Sequence, residues 1–274
     1  MYLGLLLLAL AYVLSQFFRA FLAVISVPLE TELGIGAEAL ATANGLWFIS
    51  FAAMQIPVGC SLDTLGPKRT ASVLLLVGGT GGSLLFAVAT SAFHLNIAMM
   101  LIGAGCAPVL MAAYYIFARE FPPLQFATLA ASMIGVGTIG NLLASYPMAF
   151  AETMIGWRAT MVCLAVLCAI IAVGVQVTVK DPEKAVSETK GSLLDVLRIP
   201  ALWLIAPIAI VGYVPAAAIR GAWMGPYLNE VHGLSSSEIG TAALIMGIAM
   251  IGGVFLYGPL DRWFGTRKWV VFGG

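Results

Sequence analysis

Gly59-Cys60-Ser61-Leu62-Asp63-Thr64-Leu65-Gly66-Pro67-Lys68-Arg69 decides the fold, because the chain repeats it as Gly258-Pro259-Leu260-Asp261-Arg262-Trp263-Phe264-Gly265-Thr266-Arg267-Lys268. Each copy closes an apolar stretch with a glycine, an aspartate, a second glycine and terminal basic residues; the second has one extra residue between Asp261 and Gly265. Upstream of the first lies Ala11-Tyr12-Val13, with Arg19 seven residues after the tyrosine; upstream of the second lies Gly212-Tyr213-Val214, with Arg220 seven residues after its own. A loop glutamate follows each arginine, Glu38 after 19 residues and Glu238 after 18. Three features in one order imply an internal duplication, and both copies run in the same direction. The halves are therefore expected to be parallel repeats about an axis along the membrane normal.

A membrane is required by composition. Hydrophobic residues make up 61% of the chain and charged residues 9%, where soluble domains carry about 25% charge. A bilayer core about 30 Å thick takes roughly 20 apolar residues per helix. Hydropathy places spans near residues 3–29, 39–62, 70–90, 95–118, 126–151, 159–179, 201–228 and 239–260, with a ninth starting at Trp269. The expected fold class is all-α, a polytopic transmembrane bundle. Its expected domains are a six-helix bundle over 1–179, a polar linker over 180–200, and an incomplete second bundle over 201–274.

Orientation follows from the basic residues, which accumulate on the cytoplasmic side. Lys68, Arg69, Arg119, Lys180, Lys184, Lys190, Arg198, Arg262, Arg267 and Lys268 fall in alternate loops, and the opposite loops hold only Arg158. An integral inner or plasma membrane protein with a cytoplasmic N-terminus is expected. The apolar N-terminus has no basic n-region or small-residue cleavage site and reads as the first span. Net charge is zero, and no basic stripe interleaved with aromatics points to nucleic acid. The four cysteines show neither metal-ligand pairing nor a disulfide framework, so no metal and no cofactor are expected. The motifs of zinc hydrolases and nucleophile elbows are missing, and the chain reads as no enzyme.

The Gly59–Arg69 segment resembles the signature loop between helices two and three of the major facilitator superfamily of secondary transporters, and the second copy sits where that superfamily repeats it. Thr64 departs from the pattern, standing where Arg or Lys commonly follows the aspartate. Gly156-Trp157-Arg158 is also similar to superfamily members. The resemblance implies twelve spans, of which this chain would hold eight and the start of a ninth. It implies that Gly59, Asp63, Gly66 and Arg69, with Asp261, Arg262 and Gly265 as repeat mates, gate an alternating-access carrier. Asp63 is expected to pair with Arg69 near a helix N-terminus, where the dipole favours an anion.

Intramembrane charge points to the solute, since an ionisable side chain in lipid is costly and is kept mainly where it faces a cavity or partner. Two such residues occur, Arg19 and Arg220. At 1.5 Å per residue they lie about 24 Å from Leu3 and about 28 Å from Ala201 along their helices. Tyr12, Gln16 and Arg19 share one face by spacing, and Tyr213 and Arg220 repeat it. Two guanidinium forks suit bidentate capture of carboxylate or phosphate oxygens. Their placement resembles the organophosphate-transporting branch. The expected partners are a small anionic solute, contacted also by Asn141 and Tyr115, and the bilayer; the full-length protein is expected to be a monomer. A proton-coupled carrier or efflux pump of a neutral solute, a non-transporting relative, and an inactive truncated fragment stay open as alternatives.

Overall fold

The computed structural model describes residues 2–182, 198–200, 203, 207 and 218–264. Most of the linker, Tyr213 and most of span seven, Gly265 and the ninth span lie outside the described residues. Every regular element among the described residues is helical. Lipid offers no hydrogen bonds to an open backbone, so a helix, which satisfies its own amides, is the solution for each apolar stretch.

Span one consists of α1 (Tyr2–Phe17), α2 (Phe21–Val24) and α3 (Ser26–Leu33). Span two is α4 (Ala37–Ala53) and α5 (Gln55–Thr64). Span three runs through α6 (Pro67–Leu74), a π segment (Leu75–Thr80) and α7 (Gly81–Ala87), and span four through α8 (Ala92–Cys106) and α9 (Pro108–Glu120). After α10 (Pro123–Leu143) comes α11 (Tyr146–Thr178); beyond the linker stand a second π segment (Ile219–Trp223), α12 (Met224–His232) and α13 (Ser236–Phe264).

Prolines set most interruptions. Pro28, Pro57 and Pro147 each stand four residues after the last residue of a helix, Val24, Ala53 and Leu143. A proline ring has no N–H for the carbonyl four residues back and clashes with it, so the helix stops there. The first break of span one has another form. Between Phe17 and Phe21 the amides of Arg19 and Ala20 bond three residues back, to Gln16 and Phe17, with no proline or glycine present. Three phenylalanines, Phe17, Phe18 and Phe21, pack on one another across it with centroids under 6 Å apart.

The 33 residues of α11 are two spans, not one. At 1.5 Å per residue they would reach about 50 Å, well beyond a bilayer core, and Gly156 interrupts them at φ 79°, ψ 157°. Residues up to Ile155 finish span five, and Trp157–Thr178 forms span six, which packs back on α1 where Gly174 meets Leu7 and Gly4 meets Thr178.

The duplication is visible in the backbone. Spans one and seven both end on a left-handed glycine, Gly34 at φ 64° and Gly233 at φ 65°, a frequent helix stop because glycine has no Cβ to clash there. The helix that follows each carries a glutamate in its first turn, Glu38 in α4 and Glu238 in α13, where the dipole favours an anion.

Around the bundle, large apolar side chains such as Ile49, Val77, Phe93, Met154 and Val177 are exposed, while Trp47, Trp157, Phe18, Phe21 and Phe86 are buried. That inside-outside pattern suits a bundle whose outer solvent is lipid. Spans two and four pack closely, with Ser50 donating to the Met100 carbonyl at 2.8 Å.

Candidate functional site

The bundle has two ends, named here by Asp63 and by Glu32. At the Asp63 end the turn between spans two and three depends on Gly66, whose φ of 90° is open mainly to glycine. A Cβ there would also lie 2.7 Å from the Asp181 carboxylate. Asp181, at the end of span six, accepts from the Lys68 backbone N–H at 2.8 Å and so caps the first turn of α6, an anion at the positive end of a helix. Asp63 itself pairs with Arg119 of α9 at 4.0 Å, not with Arg69, and the Arg119 guanidinium lies 4.0 Å from the Tyr115 ring centroid. The expected Asp63–Arg69 pair is thus replaced. The helix N-terminus is taken by Asp181, and the cation alongside Asp63 comes from the last turn of span four. Tyr115 belongs to this cluster by position. Gly59 lies in α5 at ordinary contact distance from Met111.

At the Glu32 end, Arg158 ties three spans together. One guanidinium nitrogen donates to the carbonyls of Ala87 and Ala89, both at 2.9 Å, and Nε lies 3.5 Å from Glu32. The group also covers the Trp157 ring at 4.1 Å. A cation on the last carbonyls of a helix satisfies groups with no partner inside that helix. Spans one and seven meet nearby, where a Cβ on Gly225 would collide with the Ala23 carbonyl and the Ser26 hydroxyl. Spans five and eight meet where Gly240 faces Ala149 and Tyr146.

Between the ends lie the residues expected to hold solute. Gln16 donates to the Tyr12 hydroxyl at 3.0 Å, and both pack on span five, where Gly137 admits the Tyr12 ring and Gly140 admits Val13 and Gln16. Asn141 follows directly, half-buried, and its side-chain oxygen accepts no hydrogen bond among the described residues. Arg19 turns elsewhere. Leaving the helix at the break after Phe17, it sets its guanidinium 5.2 Å from the Trp47 centroid and 4.9 Å from that of Phe51, two rings stacked 5.1 Å apart on span two. Tyr12 and Gln16 therefore face span five while Arg19 faces span two. The single face expected from spacing is divided by the break. Arg220 falls in the π segment of span seven, which packs against α2 and α4; π turns recur at functional positions in helices. Asp261 and Arg262 fall in α13.

Spacing could not find Trp47, Phe51 or Asp181. The available signals were a tryptophan and a phenylalanine four apart on one helix, and a carboxylate directly after an apolar span.

A bundle of apolar helices, with a charged turn that the sequence repeats, defines the class of polytopic membrane proteins. Over residues 8–274 the chain matches the Major Facilitator Superfamily model, and it belongs to that family. The Escherichia coli (strain K12) protein AraJ is 24% identical over 220 residues, covering 78% of this chain and 55% of that protein. Among solved structures, a bacterial homolog of the human lysosomal transporter Spinster superposes in its inward-facing, occupied conformation with a TM-score of 0.73 at 22% identity, over 96% of this chain and 62% of that one. A D-xylose-proton symporter gives 0.67 at 16% identity, over 95% and 69%. The chain thus spans 55% of the length of AraJ and 62–69% of that of these solved structures. Family and fold support an integral membrane protein.

Proposed function

We propose that this chain is the larger part of a carrier that moves a small organic or inorganic anion by alternating access, with Arg19 and Arg220 as the groups that hold the charge. One observation carries the reading. The two repeat-related arginines lie where the α-helix is interrupted, at a three-residue turn and in a π segment, and those interrupted segments pack near each other through α2. Permanent cations at breaks in an apolar bundle are suited to an anion that crosses lipid with its charge compensated. Tyr12, Gln16 and Asn141 offer the solute hydrogen bonds from the side of span five, with Tyr213 as the repeat mate of Tyr12, and Tyr115 acts through the Arg119 cluster.

The turns at Gly59, Asp63, Gly66 and Arg69, and at Asp261, Arg262 and Gly265, act as the gate on the cytoplasmic side, with the N-terminus on that side and the full-length protein a monomer. Packing of Gly225 on Ala23 and of Gly240 on Ala149 supports a conformation closed at the Glu32 end, which corresponds to inward-facing in that orientation. The test is uptake into liposomes bearing the full-length parent. A panel of organic and inorganic anions should be taken up, and Arg19→Ala and Arg220→Ala should each abolish it. Uptake unchanged by both substitutions, or confined to neutral solutes, refutes the anion reading.

A further inference from the structure

Two buried polar groups on α4 lack a hydrogen-bond partner among the described residues: the Asn44 side-chain oxygen and the Trp47 indole nitrogen. Asn44 is 3% exposed and Trp47 0%. Three residues apart, they occupy successive turns of one helix face, and Phe51 continues that face by four. The Arg19 guanidinium lies over the same face, against Trp47 and Phe51, and the π segment that contains Arg220 packs on the same helix. Neighbouring polar groups of α4 and α5 are satisfied within the chain. Thr42 donates to Glu38, Ser50 to Trp47 and Met100, Gln55 to Phe51. Trp47 carries the arginine on its ring and Asn44 stands one turn away on the same face; elsewhere among the described residues the Trp157 indole nitrogen and the Asn96 and Asn141 oxygens are also unpaired.

Buried polar atoms in folded proteins are paired almost without exception, and an unpaired one requires a reason. Packing alone supplies none here, because leucine and phenylalanine would fill the same volume without the desolvation of an amide and an indole N–H. An indole nitrogen is only a donor and an amide oxygen only an acceptor. A hydroxyl is both, so one hydroxyl meets the two needs together.

We propose that Asn44 and Trp47 form the neutral half of the solute site: a solute hydroxyl accepts from the Trp47 N–H and donates to the Asn44 oxygen while Arg19 takes the acid group. The inference rests on the anion reading above and narrows it. The substrate class is a hydroxylated organic anion, such as a sugar acid or a sugar phosphate. Plain alkyl acids lack the hydroxyl. A site built to bond a hydroxyl discriminates strongly against the analogue without it.

The experiment measures binding to the full-length parent in detergent, by ligand-induced shift of the unfolding temperature. Probes are matched pairs: gluconate against hexanoate, and glycerol phosphate against propyl phosphate, with sorbitol as the neutral member. Wild type should prefer the hydroxylated member of at least one pair by about tenfold or more. Trp47→Phe, which keeps a ring and removes the N–H, and Asn44→Leu, which keeps the volume and removes the amide, should each erase that preference and leave the deoxy partner's affinity unchanged. Without ligand, Asn44→Leu should unfold at the wild-type temperature or above it, since no hydrogen bond within the chain is lost, and Trp47→Phe should fall only by what the smaller ring leaves unfilled. Equal binding within both pairs, no binding of any pair, a preference that survives both substitutions, or a large fall in unfolding temperature in both variants overturns the proposal. Should Arg19→Gln leave all affinities intact while the two α4 variants erase the hydroxyl preference, the anion reading fails and the hydroxyl site stands. If Arg19→Gln abolishes binding but the α4 variants change nothing, the reverse holds.

Discussion

Arg158 and Arg19 each lie on a tryptophan whose buried indole nitrogen has no partner among the described residues, but they differ in what else holds them. Arg158 has its hydrogen bonds met by the chain itself, from two carbonyls and a carboxylate on spans three and one. Arg19 adjoins a helix face on which an amide oxygen and an indole nitrogen have no partner among the described residues. A cation bonded to two carbonyls and a carboxylate of other spans fixes helices relative to one another. One laid over the aromatic rings of span two at a break in its own helix is the one proposed to hold solute. The contrast makes opposite forecasts for the two residues, and most of the tests below probe it.

The largest effect should come from Arg19→Ala. Anion uptake should fall by about a hundredfold or more, because a charge-compensating partner in a low-dielectric site is lost, while the unfolding temperature in detergent moves less than for Arg158→Ala. A mainly structural loss would erase the contrast. Next, Gly225→Val should block closure of the Glu32 end, since its Cβ meets the Ala23 carbonyl and Ser26. Uptake should drop about tenfold or more, with rising accessibility of a cysteine placed at Ser26, and unchanged accessibility would refute the closure.

Arg158→Ala should lower unfolding stability by about 2–3 kcal/mol, the scale of hydrogen bonds to a charged group, with solute affinity within threefold of wild type. Chemical denaturation in detergent and the binding assay measure the two. Gly66→Ala should cost about 1–2 kcal/mol from left-handed backbone strain and crowding against Asp181, and Asp181→Ala should relieve part of it. The smallest effect concerns Glu238. Its carboxylate accepts from the Ser235 amide and hydroxyl at 2.9 and 2.8 Å, which holds its pKa below the ordinary 4.5. Its contribution is therefore complete above pH 4.5 and lost as pH falls through the lowered value. Glu238→Gln should slightly flatten the acid limb of a stability profile, and an unaltered profile would refute the cap.

Some of this was legible before any coordinates. Apolar stretches of bilayer length declare themselves, although the hydropathy spans run unbroken through Pro28, Pro57 and Pro147, where the structure ends helices by a local rule. The tyrosine-arginine spacing and the two charged turns disclosed the duplication, and the paired left-handed glycines Gly34 and Gly233 now give it a backbone form. The partners were not legible. Asp63 meets Arg119 and Lys68 meets Asp181 across long stretches of sequence, and the break after Phe17 carries no proline or glycine to announce it.

What the sequence determined by itself was the solvent, the helices and the repeat, because hydropathy, proline chemistry and spacing act within a few residues of each position. Only the tertiary structure decided which helix each charge faces. That choice depends on how the spans rotate against one another, and rotation is set by packing between residues far apart in the chain.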